Sequence, residues 1–228
     1  MIFDILTLFP EMVENVLNES ITGRAIDAGY IELITHNIRD FSGDKHRRVD
    51  DTPYGGGYGM LMRVQPVYEC HQNALSALRE RNINNIHTVV MSPCGEVLTQ
   101  KKAAQLAGYD ALVIICGHYE GIDRRAVELC ADEEISIGDY VLTGGELPAC
   151  ILVDCVSRLK EGVLADAACH EEESIESGML EYPQYTRPPE YMGLRVPGVL
   201  LEGDHREIEK WRYNAALELT KELRPDLM

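Results

Sequence analysis

Short apolar runs of strand length alternate along this chain with stretches whose apolar positions recur at helical period. "IFDILTL" precedes a helix opening at "PEMVENVL", and "YIELITHNI" precedes a glycine-rich loop. The helix "VQPVYECHQNALSALRERN" then leads to "HTVVMS". "TQKKAAQLAGY" reads as a helix with Thr99 as N-cap and Gly108 as C-cap, and "ALVIIC" follows it. "IDRRAVELC" leads to "EEISIGDYVLT", and "GELPACILVDCVSRLK" is again helical. This alternation predicts an α/β fold, a mostly parallel sheet with helices on both faces. After Lys160 the periodicity lapses until "GDHREIEKWRYNAALELTKEL", an amphipathic helix. The expected organisation is an α/β domain over residues 1–160, a linker over 161–180 and a small helical domain over 181–228.

In such sheets ligands bind beyond the carboxyl ends of the strands, and "SPCGE", "CGHYEG" and "TGGELP" all fall there. In "ICGHYEGID", Tyr119 can stack on a ring and Glu120 can accept hydrogen bonds. The competing reading is a tight strand-to-helix turn with Asp123 as an acid of the first helical turn. In "SIGDYVLTGGELPA", Gly138, Gly144 and Gly145 interrupt a strand-like stretch, so backbone is brought close to a ligand or to another segment. "TPYGGGYGM" lacks the Lys-Ser/Thr closure and the GxGxxG spacing of phosphate loops, and by itself reads as a surface hairpin. "HEEES" reads as a solvated acidic stretch of the linker, and Trp211 and Tyr213 read as packing residues.

Charge narrows the partners. Lys and Arg number 21 against 38 Asp and Glu, a formal net charge of −17, which excludes a surface that is basic throughout. A nucleic-acid partner then needs a local patch, and Arg24, Arg39, Lys45, His46, Arg47 and Arg48 supply the candidates. Seven cysteines without CxxC or CxxH spacing point to buried thiols in a reducing cytosol rather than disulfides or zinc. His46 with Asp44, Asp50 and Asp51 matches no metal-ligand spacing, so no built-in metal site is expected. The apolar runs are about 5 to 8 residues long, against the roughly 20 that a membrane span requires, so a cytoplasmic protein is expected.

Taken together, "RDF…KHRRVDDTPYGGGYGMLM", "CGHYEGID", "SIGDYVLTGGELPA", "DCVSRLKEGVL" and "YPQYTRP" resemble the bacterial tRNA (guanine-N1)-methyltransferase family of the SPOUT superfamily. The match runs in order and with matching spacing from the first strand to the late helix. The resemblance implies transfer of a methyl group from S-adenosylmethionine to N1 of the guanine 3′ of the anticodon in tRNA. It implies a trefoil knot in the carboxyl half of the α/β domain, an exception to the rule that chains do not thread loops. It also implies a homodimer whose active sites are built from both subunits.

By matched position, the methyl donor is expected at Met91, Ser92, Gly117, Tyr119, Glu120, Ile137, Gly138, Asp139, Tyr140, Val141, Leu142, Gly144, Gly145 and Pro148. The tRNA is expected at Arg24, Lys45, His46, Arg47 and Arg48, at Asp50, Tyr54, Gly55, Gly56, Gly57, Gly59 and Met60, and at Ser174. The loop from Asp50 to Met60 then resembles a lip for the flipped-out guanine. Glu173 stands where the family carries an Asp that takes the N1 proton, and Arg158 matches an Arg that stabilises charge on O6. The family also uses Mg²⁺ for transfer, which here implies a transient ion near Glu173. His118 stands where many members have Arg, and Cys94 where many have Gln. Relatives often continue for another helix past the position of Met228, which leaves the tRNA grip of the C-terminal domain an open question. The alternatives are a non-catalytic tRNA- or cofactor-binding relative, and a methyltransferase of the same fold acting on another RNA.

Overall fold

The computed structural model describes residues 1–164 and 178–228, which fall in two compact units. In the first, the chain forms β1 (Ile2–Thr7), α1 (Pro10–Leu17), α2 (Ser20–Asp27), β2 (Glu32–Asn37), β3 (Asp50–Asp51), β4 (Leu61–Met62) and α3 (Val64–Glu80). It continues through β5 (Ile86–Val97), α4 (Gln100–Leu106), β6 (Ala111–Cys116), α5 (Arg124–Cys130), β7 (Glu133–Ser136) and α6 (Glu146–Ser157). Five strands form one sheet in the order β2-β1-β6-β5-β7, and every pairing is parallel.

The apolar run of β6, and that of β1 broken by Asp4 and closed by Thr7, are explained by the interior place of both strands in the sheet. Both are buried at every residue, as parallel strands covered on two faces must be. Successive side chains point to opposite faces. Phe3, Ile5, Leu112 and Ile114 join a core with Val13 and Leu17 of α1, Ala103 and Leu106 of α4, and Leu152 and Val156 of α6. Ile2, Leu6, Val113 and Ile115 join a second core with Val67, Ala74 and Leu78 of α3 and Ala126 and Val127 of α5.

Three local expectations change. The segment Ser20–Asp27, given no element above, is the helix α2. Its glycine hid it: a methyl group on Gly23 would collide with the carbonyl of Asn18, so the position must be bare despite its helical site. Gly108 follows the C-cap of α4, which is Ala107, whereas Thr99 does cap its N-terminus by accepting from the Lys102 N–H at 3.2 Å. β5 runs past "HTVVMS" to Val97, pairing Met91 with Ile135 and then, after a bulge, Glu96 with the same residue. That bulge holds Ser92 and Pro93 at the sheet edge.

The described part of the second unit carries the hairpin β8 (Glu190–Tyr191) and β9 (Leu194–Arg195) and the helix α7 (His205–Leu223). Asp204 caps α7, its side chain accepting from the N–H groups of Arg206 and Glu207. Trp211 packs against Tyr182 and Tyr185, each with ring centroids 6.3 Å away, and so serves packing.

Candidate functional site

A cleft of about 210 Å³ opens at the carboxyl edge of β5, β6 and β7. Its wall is built from the three loops that leave these strands: Met91 to Pro93, Gly117 to Gly121, and Ile135 to Gly145, with Pro148 from the first turn of α6. Of the fourteen positions matched to the methyl donor, thirteen line it; Asp139 is exposed and does not. Pro93, Gly121, Ile135, Ser136 and Thr143 also line it and were not singled out, and His118, noted only as a departure from the family's Arg, lines it too. Their continuity with chosen neighbours was the available signal.

Bare backbone makes this cleft possible. A methyl group on Gly145 would lie 2.8 Å from Cys116 Cα and 2.9 Å from the Gly117 nitrogen, so the loop before α6 rests directly on the end of β6. Gly145 N–H donates to the Gly117 carbonyl at 2.8 Å across the same contact. Gly95 is pressed in the same way against the backbone of Glu134 and Ile135. Behind two lining residues, His118 and Gly144, lies a buried polar pair: Glu146 is 2% exposed and its Oε1 accepts from the Thr7 hydroxyl at 2.8 Å. Neither residue was anticipated, since an acid in the first turn of a helix ordinarily reads as a solvated partner of the helix dipole.

The glycine-rich segment is a hairpin loop, and its root is tied to the cleft. Asp50 and Asp51 pair antiparallel with Met62 and Leu61. Glu120 N–H donates to the Met60 carbonyl at 3.0 Å, and Met62 N–H to the Gly121 carbonyl at 2.9 Å. Gly55, Gly56, Gly57 and Gly59 all have positive φ, the region L side chains avoid. A methyl group on Gly59 would in addition displace the Glu120 side chain. Tyr54 and Tyr58 stand 98% and 99% exposed beside this lip.

The basic candidates differ in their surroundings. Arg47 pairs with Asp40, and Arg48 reaches Asp44 Oδ2 at 2.5 Å. The Asp44 carboxyl is held below its usual range, first by the His46 N–H and then by Arg48. Lys45 and His46 are exposed on the same loop. Arg24 lies in the last turn of α2, its Nε 3.3 Å from the Ser20 carbonyl. Arg39 donates to the Tyr119 hydroxyl at 3.3 Å and so touches the cleft wall.

Arg158 is the C-cap of α6 and is half-buried. The cleft takes the first turn of the same helix, and 12 residues of α-helix span about 18 Å. Arg158 is therefore not brought to the cleft of its own chain. Glu173 and Ser174 lie outside the described residues.

Phe9, the N-cap of α1, and Met12 and Val16 of that helix are 41%, 41% and 46% exposed, and Leu147 and Ile151 of α6, which packs on α1, are 45% and 46% exposed. Among the described residues no helix is long and apolar enough to cross a membrane, and no three His, Cys, Asp or Glu side chains gather as a metal-binding group. The described cysteines are free thiols; Cys70, Cys116, Cys130 and Cys150 are buried, Cys155 is half-buried and Cys94 is exposed.

The chain is 52% identical to a tRNA (guanine-N(1)-)-methyltransferase of Lachnospira eligens over 225 residues, 99% of this chain and 94% of that one. It is 53% identical to the protein of that name from Ruminiclostridium cellulolyticum, covering 99% and 95% of the two chains, and 49% identical to that of Clostridioides difficile, covering 99% and 96%. The family model described as tRNA (Guanine-1)-methyltransferase TrmD matches residues 1–228. A chain matched along its whole length by that model, and half identical to several such proteins, belongs to the tRNA (guanine-1)-methyltransferase family.

Proposed function

We propose that this protein transfers a methyl group from S-adenosylmethionine to N1 of the guanine that follows the anticodon in tRNA. The observation that carries the reading is the cleft itself, thirteen of whose lining positions are those matched to the methyl donor from sequence. Its residues suit that molecule. Tyr140, Val141 and Leu142 offer apolar walls, Ser92 and Glu120 offer polar groups, and Gly144 and Gly145 leave backbone accessible where a side chain would fill the space. The donor supplies an electrophilic methyl group on a sulfonium; the protein must orient it, exclude water and remove the guanine N1 proton.

The close crossing of Gly145 over Cys116 and Gly117 supports the trefoil knot as the reason for these glycines. The lip from Asp50 to Met60 is the receiver of the target base, with its root held to the Glu120 loop so that base and donor meet at one edge. Arg158 sits at the far end of α6 from the cleft, which supports a homodimer in which Arg158 of the partner subunit completes each site. The exposed apolar residues of α1 and α6 supply the face for that dimer. Glu173 is the proposed base, and Mg²⁺ enters as an ion recruited with the substrate near it.

The test is methyl incorporation from labelled S-adenosylmethionine into tRNA transcripts carrying G after the last anticodon position, with transcripts carrying A there as the comparison. Incorporation at N1 of that G is expected; binding of tRNA without incorporation would overturn the reading. Loss of a general base costs about 10²- to 10⁴-fold. Glu173→Ala is therefore expected to lower kcat by that factor while donor affinity, read by calorimetry, stays unchanged. A wild-type rate in that variant would remove Glu173 from the mechanism.

A further inference from the structure

Under the cleft a buried carboxylate and an unsatisfied imidazole face each other. Glu146, the first residue of α6, accepts from the Thr7 hydroxyl, and that hydroxyl accepts the Phe9 N–H at 2.9 Å. A carboxylate oxygen can only accept, so in this contact the Thr7 hydroxyl donates its proton to Glu146. On the other side His118 Nδ1 lies 3.8 Å from Glu146 Oε2, buried and without a hydrogen-bond partner among the described residues. The Phe9 ring holds the imidazole from a third direction, with centroids 4.9 Å apart. Gly144 permits the approach: a methyl group there would sit 2.7 Å from His118 Nδ1 and collide with the Glu146 carboxylate. A buried ring nitrogen with nothing to bond needs a physical reason. Here a carboxylate oxygen stands 3.8 Å away, just beyond bonding distance.

We propose that Glu146 fixes the tautomer of His118 and thereby sets what the cleft recognises. Nδ1 carries the proton and donates it to Glu146 once the cleft fills, which leaves Nε2 unprotonated. His118 lines the cleft and keeps 26% of its side chain exposed while Nδ1 is buried, so the ring edge carrying Nε2 is the part that meets a ligand. An unprotonated Nε2 accepts and cannot donate. Its partner is therefore an N–H donor, an amino group of the bound methyl donor. That molecule offers two such groups, the amine on its adenine ring and the amine of its amino-acid end. Glu146 is in this sense a positioning residue and His118 a binding residue. The proposal rests on the reading of the cleft as the methyl-donor site.

The experiment uses the full chain with S-adenosylhomocysteine as probe. Histidine side-chain ¹⁵N spectra of the complex are expected to show His118 protonated at Nδ1, and Glu146→Gln to abolish that preference. Calorimetry is expected to show about three- to tenfold weaker binding for His118→Ala, the size of one neutral hydrogen bond. His118→Gln, which places an amide oxygen near the Nε2 position, is expected to recover the affinity, and His118→Asn is not. Glu146→Gln is expected to weaken binding as much as His118→Ala, with no further loss when the two are combined. Analogues lacking either the adenine amine or the amino-acid amine identify the partner: the one that contacts His118 loses the difference between wild type and His118→Ala. An Nε2-protonated His118 in the complex, or fully additive losses in the double variant, would overturn the proposal while leaving the cleft assignment intact. Failure of the wild type to bind S-adenosylhomocysteine would overturn both. If Glu146→Gln unfolds, the spectra and the three His118 variants still decide.

Discussion

At the scale of single residues, the most consequential polar group outside the cleft is Asp4, 1% exposed in the middle of the central strand β1. His36 Nε2 lies 2.9 Å from its Oδ1, close enough for ion pairing although off the hydrogen-bonding line. That contact with Asp4 raises the His36 pKa above its ordinary 6.5, against the opposing effect of burial. A histidine whose folded value is raised contributes stability that is fully present below the unfolded value and is lost as pH rises through the folded one. The thermal midpoint of the wild type should therefore fall as pH is taken upward from about 6.5, and His36→Asn should flatten that fall. A midpoint that declines identically in both proteins would exclude the pair as its source. Removing His36 also leaves a buried acid without its partner, a change that typically costs about 3–5 kcal/mol, so the variant should be less stable at every pH.

Elements are where the glycines separate into kinds. Gly145 has backbone on its open side, with Cys116 Cα 2.8 Å from the point an added methyl group would occupy, whereas Gly43 meets nothing nearer than the flexible Gln65 side chain at 3.7 Å. Overpacking against backbone typically costs about 1–3 kcal/mol, and each kcal/mol shifts the midpoint of a chain of this size by about 2–4 °C. Gly145→Ala should therefore lower the melting midpoint by several degrees and disturb the cleft, while Gly43→Ala should leave it unchanged or slightly higher. Equal midpoints for the two variants would show that the crossing over β6 relaxes. Sequence alone could recognise that Gly138, Gly144 and Gly145 bring backbone close to something, because β-branched residues belong in a smooth strand. It could not say what they approach, since Cys116 and Gly117 are distant in the chain. The same limit applies to the buried polar pair behind the cleft. Periodicity identified the strands of the main sheet and the helices other than α2, and matched loops identified thirteen of the nineteen residues that line the cleft. The contacts among Thr7, His118 and Glu146 depend on which strands become neighbours, and β1 lies beside β6 only in the folded sheet.

For the whole molecule the governing quantity is a net charge of −17, which must coexist with an RNA polyanion. Arg47 and Arg48 face Asp40 and Asp44, so phosphate contacts from this loop compete with ion pairs already in place. Affinity for tRNA should fall steeply with salt, and losing one phosphate contact, as in Arg48→Ala, should reduce the slope of log K against log salt by roughly 0.7 to 0.9. Asp44→Asn should tighten binding by releasing Arg48. A slope unaffected by either change would move the RNA contact elsewhere. The position of Arg158 raises the larger issue of how many chains make one site. A helix spanning about 18 Å separates this residue from the cleft it is matched to, and both are fixed by α6, so no rotation within one chain brings them together. A two-fold dimer places the same surface on both subunits and can carry the end of one α6 to the opening of the other. The exposed Phe9, Met12, Val16, Leu147 and Ile151 are apolar surface available to such a contact. Mixing provides the decisive measurement. Arg158→Ala and Glu120→Ala should each be nearly inactive alone, yet refolding them together in equal amounts gives half mixed dimers. Each mixed dimer contains one intact cleft facing one intact arginine, so about a quarter of the wild-type activity should return. If mixing restores nothing while both variants dimerise normally, Arg158 and the cleft act within one chain and the two-subunit site is wrong.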